Sequence, residues 1–276
     1  MALNAQKTNM NDSHLVEWFK EWIHSHMGIH YPSQKLPLLE QRLRSLCMRL
    51  NAANLQELKT LVEQGTQADI FKHMANVATT NHTHFYREPA VLEFFMDHVI
   101  QTLPRHEKCR IWSAAASSGE ELYTLIIMMC ERLGLEKVQR SYAFLGTDIS
   151  EKVVEDAERG IYPYRRIEEM DPKMIQNWFQ PCGLDNYSVE NAIKDLCIYR
   201  KLNLKNSPWP FSRNFHVILL RNVLYYFDKE TQRNVLNNIY LVTEMNGWLL
   251  TSVTESLADL DVPWEYVRAG VYRKVR

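Results

Sequence analysis

Short apolar segments that alternate with helical segments make up most of the chain after Pro104. The apolar segments are typical of buried strands and read CRIWSAA at 109–115, YAFLGTD at 142–148, NFHVILL at 214–220 and WLLTSV at 248–253. Stretches of helical periodicity follow the first three, at 120–133, 150–159 and 228–242. Strands that alternate with helices predict right-handed crossovers and a largely parallel sheet. We therefore expect an α/β fold whose alternating end, 265–275, forms an antiparallel edge strand or hairpin.

The region before about Arg87 has helical periodicity instead. Leucines spaced three and four apart form an apolar stripe on a helix that begins near Ser33, namely Leu36, Leu39, Leu43, Leu46 and Leu50. We predict an N-terminal helical domain at 1–88, a linker at 89–105 and an α/β domain at 106–276. A turn-rich stretch at 178–200 breaks the pattern and indicates a small insertion in that domain.

Three basic residues, Lys35, Arg42 and Arg49, recur every seven positions and share another face of the same helix. Between residues 33 and 51, four basic residues against one acidic residue give a charge of +3, whereas the whole chain carries −1. We call these three residues the basic ridge. A charged helix face is ordinarily a solvated face, and the alternative is a docking surface for an acidic helical partner. The residues alone leave both interpretations open.

The composition argues against several classes of protein. With 32 basic and 33 acidic residues, the chain is not expected to coat nucleic acid or an anionic membrane. No apolar run approaches the ~20 residues of a membrane span, and the polar start lacks a signal-peptide core. We expect a cytoplasmic monomer that neither binds nucleic acid nor inserts into membranes. The five cysteines are widely spaced without a CxxC motif, and His26 with His30 lacks a third ligand, so no metal is expected.

The loop after the first strand, SAAASSGEE at 113–121, carries the strongest functional signal. Its small side chains allow a ligand to approach the backbone, but Gly119 stands alone and two carboxylates open the next helix, which disfavours pyrophosphate. A cationic nucleoside such as S-adenosylmethionine suits this loop. Asp148, 28 residues after Glu120, ends the second strand, where a carboxylate can accept both ribose hydroxyls. The structural alternatives are a favourable helix-start charge for Glu120 and a capping turn for Asp148.

Four segments then stand in a recognisable order: TTNHTHFYRE at 79–88, the 113–121 loop, GTDI at 146–149 and LRNVLYYFD at 220–228. Together they resemble the CheR-type chemotaxis receptor methyltransferases. The resemblance implies a helical N-terminal domain, then a Rossmann-like S-adenosylmethionine methyltransferase domain with a small antiparallel insertion. It also implies methyl transfer to glutamates in the cytoplasmic helical region of chemoreceptors, with S-adenosylhomocysteine as the other product.

The same motifs imply roles for individual residues. The implied cofactor contacts are Asn81, Thr83, Arg87, Ala114, Glu120, Asp148, Asn203, Leu204, Arg221 and Asn222. Of these, Glu120 is implied on the α-amino side and Asp148 on the ribose. The pair implied nearest the transferred methyl group is Arg87 and Tyr226, whose structural alternatives are an interdomain salt bridge and a core aromatic. A substrate glutamate is already a carboxylate at pH 7, so the reaction needs no general base.

Two departures from the family pattern affect the expectation. Val253 stands where the family usually has a histidine, and the turn at 182–186 has one glycine where tail-binding members carry a glycine-rich turn. We therefore predict an enzyme that works without gripping a receptor tail and finds its substrate through the basic ridge. The alternative function is a cofactor-sensing or adaptor module with little turnover. A small-molecule methyltransferase would leave the basic helical domain unexplained.

Overall fold

The computed structural model of the chain describes residues 2–65, 67–80 and 82–275. Residues up to Thr80, together with Tyr226–Thr231, form one compact unit, and the remainder of the described chain forms the second. None of the described helices combines the length and the apolar character that crossing a bilayer would require.

The first unit is built from helices. They are α1 (Ala2–Met27), α2 (Leu36–Leu50), α3 (Leu55–Gln64) and α4 (Gln67–Ala78), with a 3₁₀ turn at Ser33–Lys35 before α2. The predicted stripe faces inward on α2, where Leu39, Leu43 and Leu46 are fully buried. Asn54 caps α3 by accepting a hydrogen bond from the Glu57 backbone N–H at 2.9 Å, as expected for a residue that satisfies a helix-start donor.

A segment from late in the sequence completes this unit. Ile29 forms an isolated antiparallel bridge with Phe227, and the Tyr226 carbonyl accepts a hydrogen bond from the His30 backbone N–H at 2.6 Å. His24 Nε2 lies 2.5 Å from Asp228 Oδ2. The first unit is therefore discontinuous in sequence.

The second unit is an α/β sheet domain with an additional small sheet. Its helices are α5 (Pro89–Phe94), α6 (Glu120–Leu133), α7 (Leu135–Ser141), α8 (Glu151–Arg159), α9 (Pro172–Trp178) and α10 (Asn191–Lys194), together with α11 (Lys229–Leu241) from Gln232 onward. Its strands are β1 (Cys109–Ser113), β2 (Tyr142–Asp148), β3 (Ile161–Pro163), β4 (Phe179–Pro181), β5 (Asn186–Val189), β6 (Cys197–Lys201), β7 (Phe215–Leu219), β8 (Thr243–Leu250), β9 (Glu265–Arg268) and β10 (Val271–Arg273).

Seven strands form the main sheet in the order β6-β2-β1-β7-β8-β10-β9. The first five are parallel neighbours, and β10 pairs antiparallel with both β8 and β9. Every residue of β7 is buried, as expected for a central parallel strand covered on both faces. The predicted fold class, including the C-terminal hairpin and the small antiparallel insertion, is confirmed.

The structure differs from the sequence-based boundaries in three places. The stretch 89–105, predicted as a linker, is largely helical, and its apolar side chains Val91, Leu92 and Phe95 lie in the core of the second unit. The small sheet, in the order β3-β5-β4, begins at Ile161, well before the predicted insertion at 178–200. The end of that predicted insertion is β6, which pairs with β2 in the main sheet.

Candidate active site

Strand order reverses at β1, which has β2 on one side and β7 on the other. The last residue of β1, Ser113, is in register with Gly146 of β2 and Leu219 of β7. In open parallel sheets, ligands bind in the crevice beyond the carboxyl ends of the strands at such a reversal. The candidate site therefore lies where 113–121, Asp148 and Arg221 follow their strands.

The loop at 113–121 is fixed to both neighbouring strands. The backbone N–H of Ala114 donates to Leu219 O and that of Ala116 donates to Thr147 O, each at 2.8 Å. Gly119 has a φ of +97°, and a Cβ there would lie 2.9 Å from Tyr199 Oη. The loop thus requires glycine at this position for its conformation and for its close packing.

Asp148 faces this loop from the end of β2. Its Oδ2 accepts a hydrogen bond from the Ser117 backbone N–H and its Oδ1 accepts one from the Ser150 N–H, both at 3.0 Å. Burial raises the pKa of the Asp148 carboxyl to about 6, although these two N–H groups lower it. The nearby Ser117 Oγ is buried without a hydrogen-bond partner among the described residues.

Glu120 begins α6, and its side chain has no solvent exposure. Ser118 Oγ lies 3.0 and 2.8 Å from its two carboxylate oxygens, and Arg166 forms an ion pair with Oε1. Burial raises the pKa of the Glu120 carboxyl, against the opposing charge of Arg166. The buried carboxylate therefore has one cationic partner, which comes from the 3₁₀ turn Tyr164–Arg166 after β3.

Glu121, the next residue, faces a different set of groups. Its Oε1 accepts a hydrogen bond from Ser113 Oγ at 2.8 Å, and its Oε2 accepts one from Arg221 Nη1 at 3.0 Å. Arg221 Nη2 donates to the carbonyl oxygens of Arg87 and Glu88, at 2.7 and 3.1 Å. With its side chain 1% exposed, Arg221 holds the backbone of the TTNHTHFYRE segment rather than facing the crevice.

Two further carboxylates complete the network at the ends of β7 and β8. Glu88 accepts hydrogen bonds from Asn222 Nδ2 at 2.9 Å and from Ser252 Oγ at 2.8 Å. Burial raises the pKa of Glu88, but these hydrogen bonds and Arg221 outweigh it and leave that pKa below its ordinary value. Glu255 accepts hydrogen bonds from the backbone N–H groups of Asn222 and Leu224, at 2.7 and 2.8 Å.

Backbone strain is concentrated around these contacts. Among the described residues, six that are not glycine have a positive φ, and four of them lie at the site: Tyr86 (62°), Glu88 (49°), Ser117 (49°) and Asn222 (56°). Each such conformation costs about 1–3 kcal/mol and persists only where the surroundings enforce it. Tyr86 and Glu88 flank Arg87, so the position of the Arg87 side chain depends on the contacts that hold the backbone of these two residues.

The remaining implied cofactor residues occupy different surroundings. Asn81 lies outside the described residues, and Thr83 is half-buried in the extended stretch that follows it. Arg87 Nη1 donates to His82 O at 2.9 Å. Asn203 follows β6 in a turn, where its Oδ1 accepts a hydrogen bond from the Lys205 N–H at 3.0 Å, and Leu204 is buried beside it.

Tyr226 belongs to the first unit, where its hydroxyl donates to Thr80 O at 3.2 Å. The basic ridge lies in the same unit. Lys35 and Arg49 are exposed, whereas Arg42 Nη1 donates to the carbonyls of Val77 and Thr79, at 3.0 and 3.2 Å. The ridge is therefore divided into two exposed cations and one that binds the end of α4.

The groups at the ends of β1 and β2 fit a nucleoside with a zwitterionic amino-acid end. Asp148 is a buried acceptor for hydroxyl donors, and the unpartnered Ser117 hydroxyl beside it needs a polar partner, because a buried unpaired group costs about 1–3 kcal/mol. Glu120 and Arg166 supply one charge of each sign. No group of three His, Cys, Asp or Glu side chains in the described part of the chain is placed to hold a metal ion.

Sequence reasoning did not identify four residues of this arrangement: Glu88, Glu121, Arg166 and Glu255. Glu121 and Glu88 lie inside the motifs described above, next to Glu120 and Arg87, so their position in the sequence could have identified them as site residues. Arg166 lies 46 positions after Glu120, in a stretch with no recognisable pattern. Only the three-dimensional structure brings it to the loop.

Comparison with known proteins agrees with this geometry. Residues 81–272 match the family described as "CheR methyltransferase, SAM binding domain", and residues 15–79 match "CheR methyltransferase, all-alpha domain". A chemotaxis protein methyltransferase of Borreliella burgdorferi is 30% identical, with 99% of this chain and 100% of the relative covered.

Two further relatives show the same likeness. A probable chemotaxis protein methyltransferase of Rhizobium etli is 34% identical over 77% of this chain and 81% of its own length. The chemotaxis protein methyltransferase of Salmonella typhimurium is 26% identical, with 92% of this chain and 88% of the relative covered. With both of its domains matched, the chain belongs to the CheR family of S-adenosylmethionine-dependent chemotaxis methyltransferases.

Proposed function

We propose that the protein methylates glutamate side chains in the cytoplasmic helical region of chemoreceptors, and that it acts as a cytoplasmic monomer. Family membership makes the chain a protein-glutamate O-methyltransferase with S-adenosylmethionine as cofactor, which serves adaptation in chemosensory signalling. An adaptor with little turnover is not favoured by the family assignment.

The single observation that supports this assignment of residues is the enforced position of Arg87. Arg221 donates to the carbonyl oxygens of Arg87 and Glu88, and the residues before and after Arg87 adopt left-handed backbone conformations. The Arg87 side chain is 26% exposed and is thus accessible to a ligand. A guanidinium binds a carboxylate in a bidentate geometry, so we assign Arg87 to the substrate glutamate.

Methyl transfer requires few further groups from the protein. Bound S-adenosylmethionine supplies an electrophilic methyl group on a sulfonium. The substrate carboxylate is ionised at pH 7 and attacks without a base. Positioning and exclusion of water are therefore the contributions expected from the chain. Asp148 would hold the ribose, Glu120 the α-ammonium group, Asn203 with Leu204 the adenine side, and Arg87 the substrate.

Tyr226 is assigned to the transferred methyl group through the family motif. The residue is half-buried, and its hydroxyl donates to Thr80 O, at the start of the TTNHTHFYRE segment. Tyr226→Phe keeps the ring and removes the hydroxyl. We expect this variant to lose turnover while retaining its thermal unfolding midpoint, and full activity would make Tyr226 a packing residue.

Receptor docking is assigned to the basic ridge, because receptor methylation helices are acidic in this family. The exposed pair Lys35 and Arg49 would make the contact. We further propose that no receptor-tail tether is needed, since the hairpin turn between β4 and β5 is short, closed by a Cys182 N–H bond to Asn186 O at 2.7 Å, with Leu184 fully exposed at its tip. Methylation of a receptor with and without its last residues tests this, and a large loss on truncation would contradict it.

The function itself is tested with host membranes and radiolabelled S-adenosylmethionine. We expect base-labile methyl esters on receptors with the wild-type protein and nearly none with Arg87→Ala. Arg165→Ala, which removes an exposed neighbouring arginine of the second unit, serves as the matched control and is expected to behave as wild type. Label in a small-molecule fraction instead of receptor protein would contradict the proposal.

A further inference from the structure

We propose that Arg166 binds the α-carboxylate of the cofactor's amino-acid end, next to the α-ammonium group on Glu120. The inference rests on the proposed function, in which Glu120 takes that ammonium group. It assigns a cofactor contact to the 3₁₀ turn Tyr164–Arg166, which follows β3 of the small sheet.

The position of Arg166 is enforced from several directions. Its Nη1 donates to Ser118 Oγ at 3.0 Å and forms the ion pair with Glu120. Its carbonyl accepts a hydrogen bond from the Phe85 N–H at 3.1 Å, and the preceding strand is anchored by Tyr162 Oη, which donates to Ser118 O at 2.5 Å. The guanidinium is therefore fixed at the loop that begins α6.

One edge of this guanidinium is available. The side chain is 34% exposed, whereas that of Glu120 is 0% exposed. Within the described part of the chain, the hydrogen bonds of Arg166 come from Nη1 alone, so Nε and Nη2 have no protein acceptor. A carboxylate in the crevice can accept from these atoms, as guanidinium groups bind carboxylates through two parallel N–H donors.

The charges favour a zwitterion over a lone cation. An ammonium group brought to Glu120 also approaches the positive Arg166, which would repel it. An α-carboxylate placed on Arg166 removes this repulsion, because the four groups then alternate in sign. The Glu120–Arg166 pair is thus complementary to the amino-acid end as a whole.

The other two arginines at the site are committed elsewhere. Arg221 is 1% exposed and is held by Glu121 and by two backbone carbonyls. Arg87 donates to His82 O, and the proposed function reserves it for the substrate glutamate. Among the described residues, Arg166 is the cation that pairs with the Glu120 carboxylate.

The test compares two ligands by titration calorimetry: S-adenosylhomocysteine and its decarboxylated analogue, which keeps the amine. We expect wild type to bind the analogue roughly 10- to 100-fold more weakly, the range of one charge-assisted contact. Arg166→Gln is expected to weaken S-adenosylhomocysteine by a similar factor and the analogue little. Arg165→Gln, the same change at the exposed neighbour, is expected to leave both affinities unchanged.

Two results would overturn the inference: equal affinity of wild type for both ligands, or an equal loss of both ligands in Arg166→Gln. The comparison of the two ligands on wild type needs no variant. If Arg166→Gln does not fold, Arg166→Lys replaces it, because lysine keeps a positive charge beside Glu120 but cannot bind a carboxylate through two parallel N–H groups. Failure of wild type to bind S-adenosylhomocysteine at all would overturn the proposed function instead, so the two failures are distinguishable.

Discussion

Two regions at the same edge of the main sheet contain clusters of polar and charged side chains. The region that we propose for the cofactor, here called the cofactor side, lies at the ends of β1 and β2 and consists of Ser117, Glu120, Asp148 and Arg166. The positioning side, at the ends of β7 and β8, consists of Glu88, Arg221, Asn222 and Glu255. Both are rich in carboxylates and arginine, so residue type alone does not separate them.

The two regions differ most clearly in the exposure of their arginines, because the Arg166 side chain is 34% exposed and that of Arg221 is 1% exposed. On the positioning side, both carboxylates accept several hydrogen bonds, from Asn222, Ser252 and backbone N–H groups, and Arg221 Nε is buried without a hydrogen-bond partner in the described residues. On the cofactor side, the Ser117 hydroxyl has no partner in the described residues, Arg166 is partly exposed, and burial raises the pKa of Asp148 to about 6. We propose that the partly exposed Arg166 receives a ligand, whereas the buried Arg221 holds the backbone of Arg87 and Glu88.

The largest expected effect is on stability and comes from the positioning side. Arg221→Met leaves the partly buried Glu121 without its cation, and breaking a buried ion pair costs up to about 3–5 kcal/mol. Urea denaturation measures the loss. Arg132→Met breaks the exposed pair with Asp97 and is the control, with an expected loss of about 0–1 kcal/mol. Equal losses in the two variants would show that Arg221 contributes no more to stability than an exposed ion pair.

The next effect is on turnover. Arg87→Ala removes the group assigned to the substrate while the network below it stays intact, so we expect the rate to fall about 100-fold through lost positioning. The dissociation constant for S-adenosylhomocysteine should change far less. Rate and affinity are measured on the same preparation, with Arg87→Lys as the variant that keeps the charge. An equal loss of both would reduce Arg87 to a cofactor contact.

Asp148→Ala tests the cofactor side directly. A charge-assisted contact is worth about 1.5–3 kcal/mol, so the affinities for S-adenosylmethionine and S-adenosylhomocysteine, expected to be micromolar in wild type, should both fall by that amount. Calorimetric titration gives the constants. Unchanged affinity would show that Asp148 does not hold the ribose and would leave it the structural role of binding the Ser117 and Ser150 backbone N–H groups.

The pH dependence of binding follows from the same carboxyl. Its pKa is raised in the folded protein from 3.8 to about 6, so its contribution to folding is present below pH 3.8 and is lost as pH rises through about 6. The cofactor favours the ionised form, so affinity should weaken about tenfold per pH unit below about 6. Asp148→Asn should lack this slope. A wild-type affinity that is constant down to pH 5 would contradict the role.

The smallest effect concerns the first unit. Reversing Lys35 and Arg49 to glutamate should raise the KM for receptor several-fold, and added salt should lower the wild-type rate because exposed attraction is screened. Lys137→Glu with Arg140→Glu, two exposed residues of α7, is the charge-matched control. A rate insensitive to salt, with a normal KM in the ridge variant, would restore the solvated-face interpretation.

Much of this architecture can be predicted from the sequence. Central parallel strands are buried on both faces and therefore appear as apolar runs, which is why β1, β2 and β7 were predicted. β6 escaped prediction because it is an edge strand, CIYRK, with charged residues at its end. Arg166 and the internal use of Arg42 could not be predicted, since both depend on contacts between segments that the sequence keeps dozens of residues apart.

The discontinuity of the first unit affects the order in which the chain can fold during synthesis. Its helices leave the ribosome first, but Tyr226–Thr231, which supply the bridge to Ile29 and the partner of His24, are made nearly 150 residues after Thr80. At translation rates of roughly 5–20 residues per second, that interval is on the order of ten seconds. The nascent helices must therefore persist without their last segment, and an excised fragment ending at Thr80 would lack it permanently.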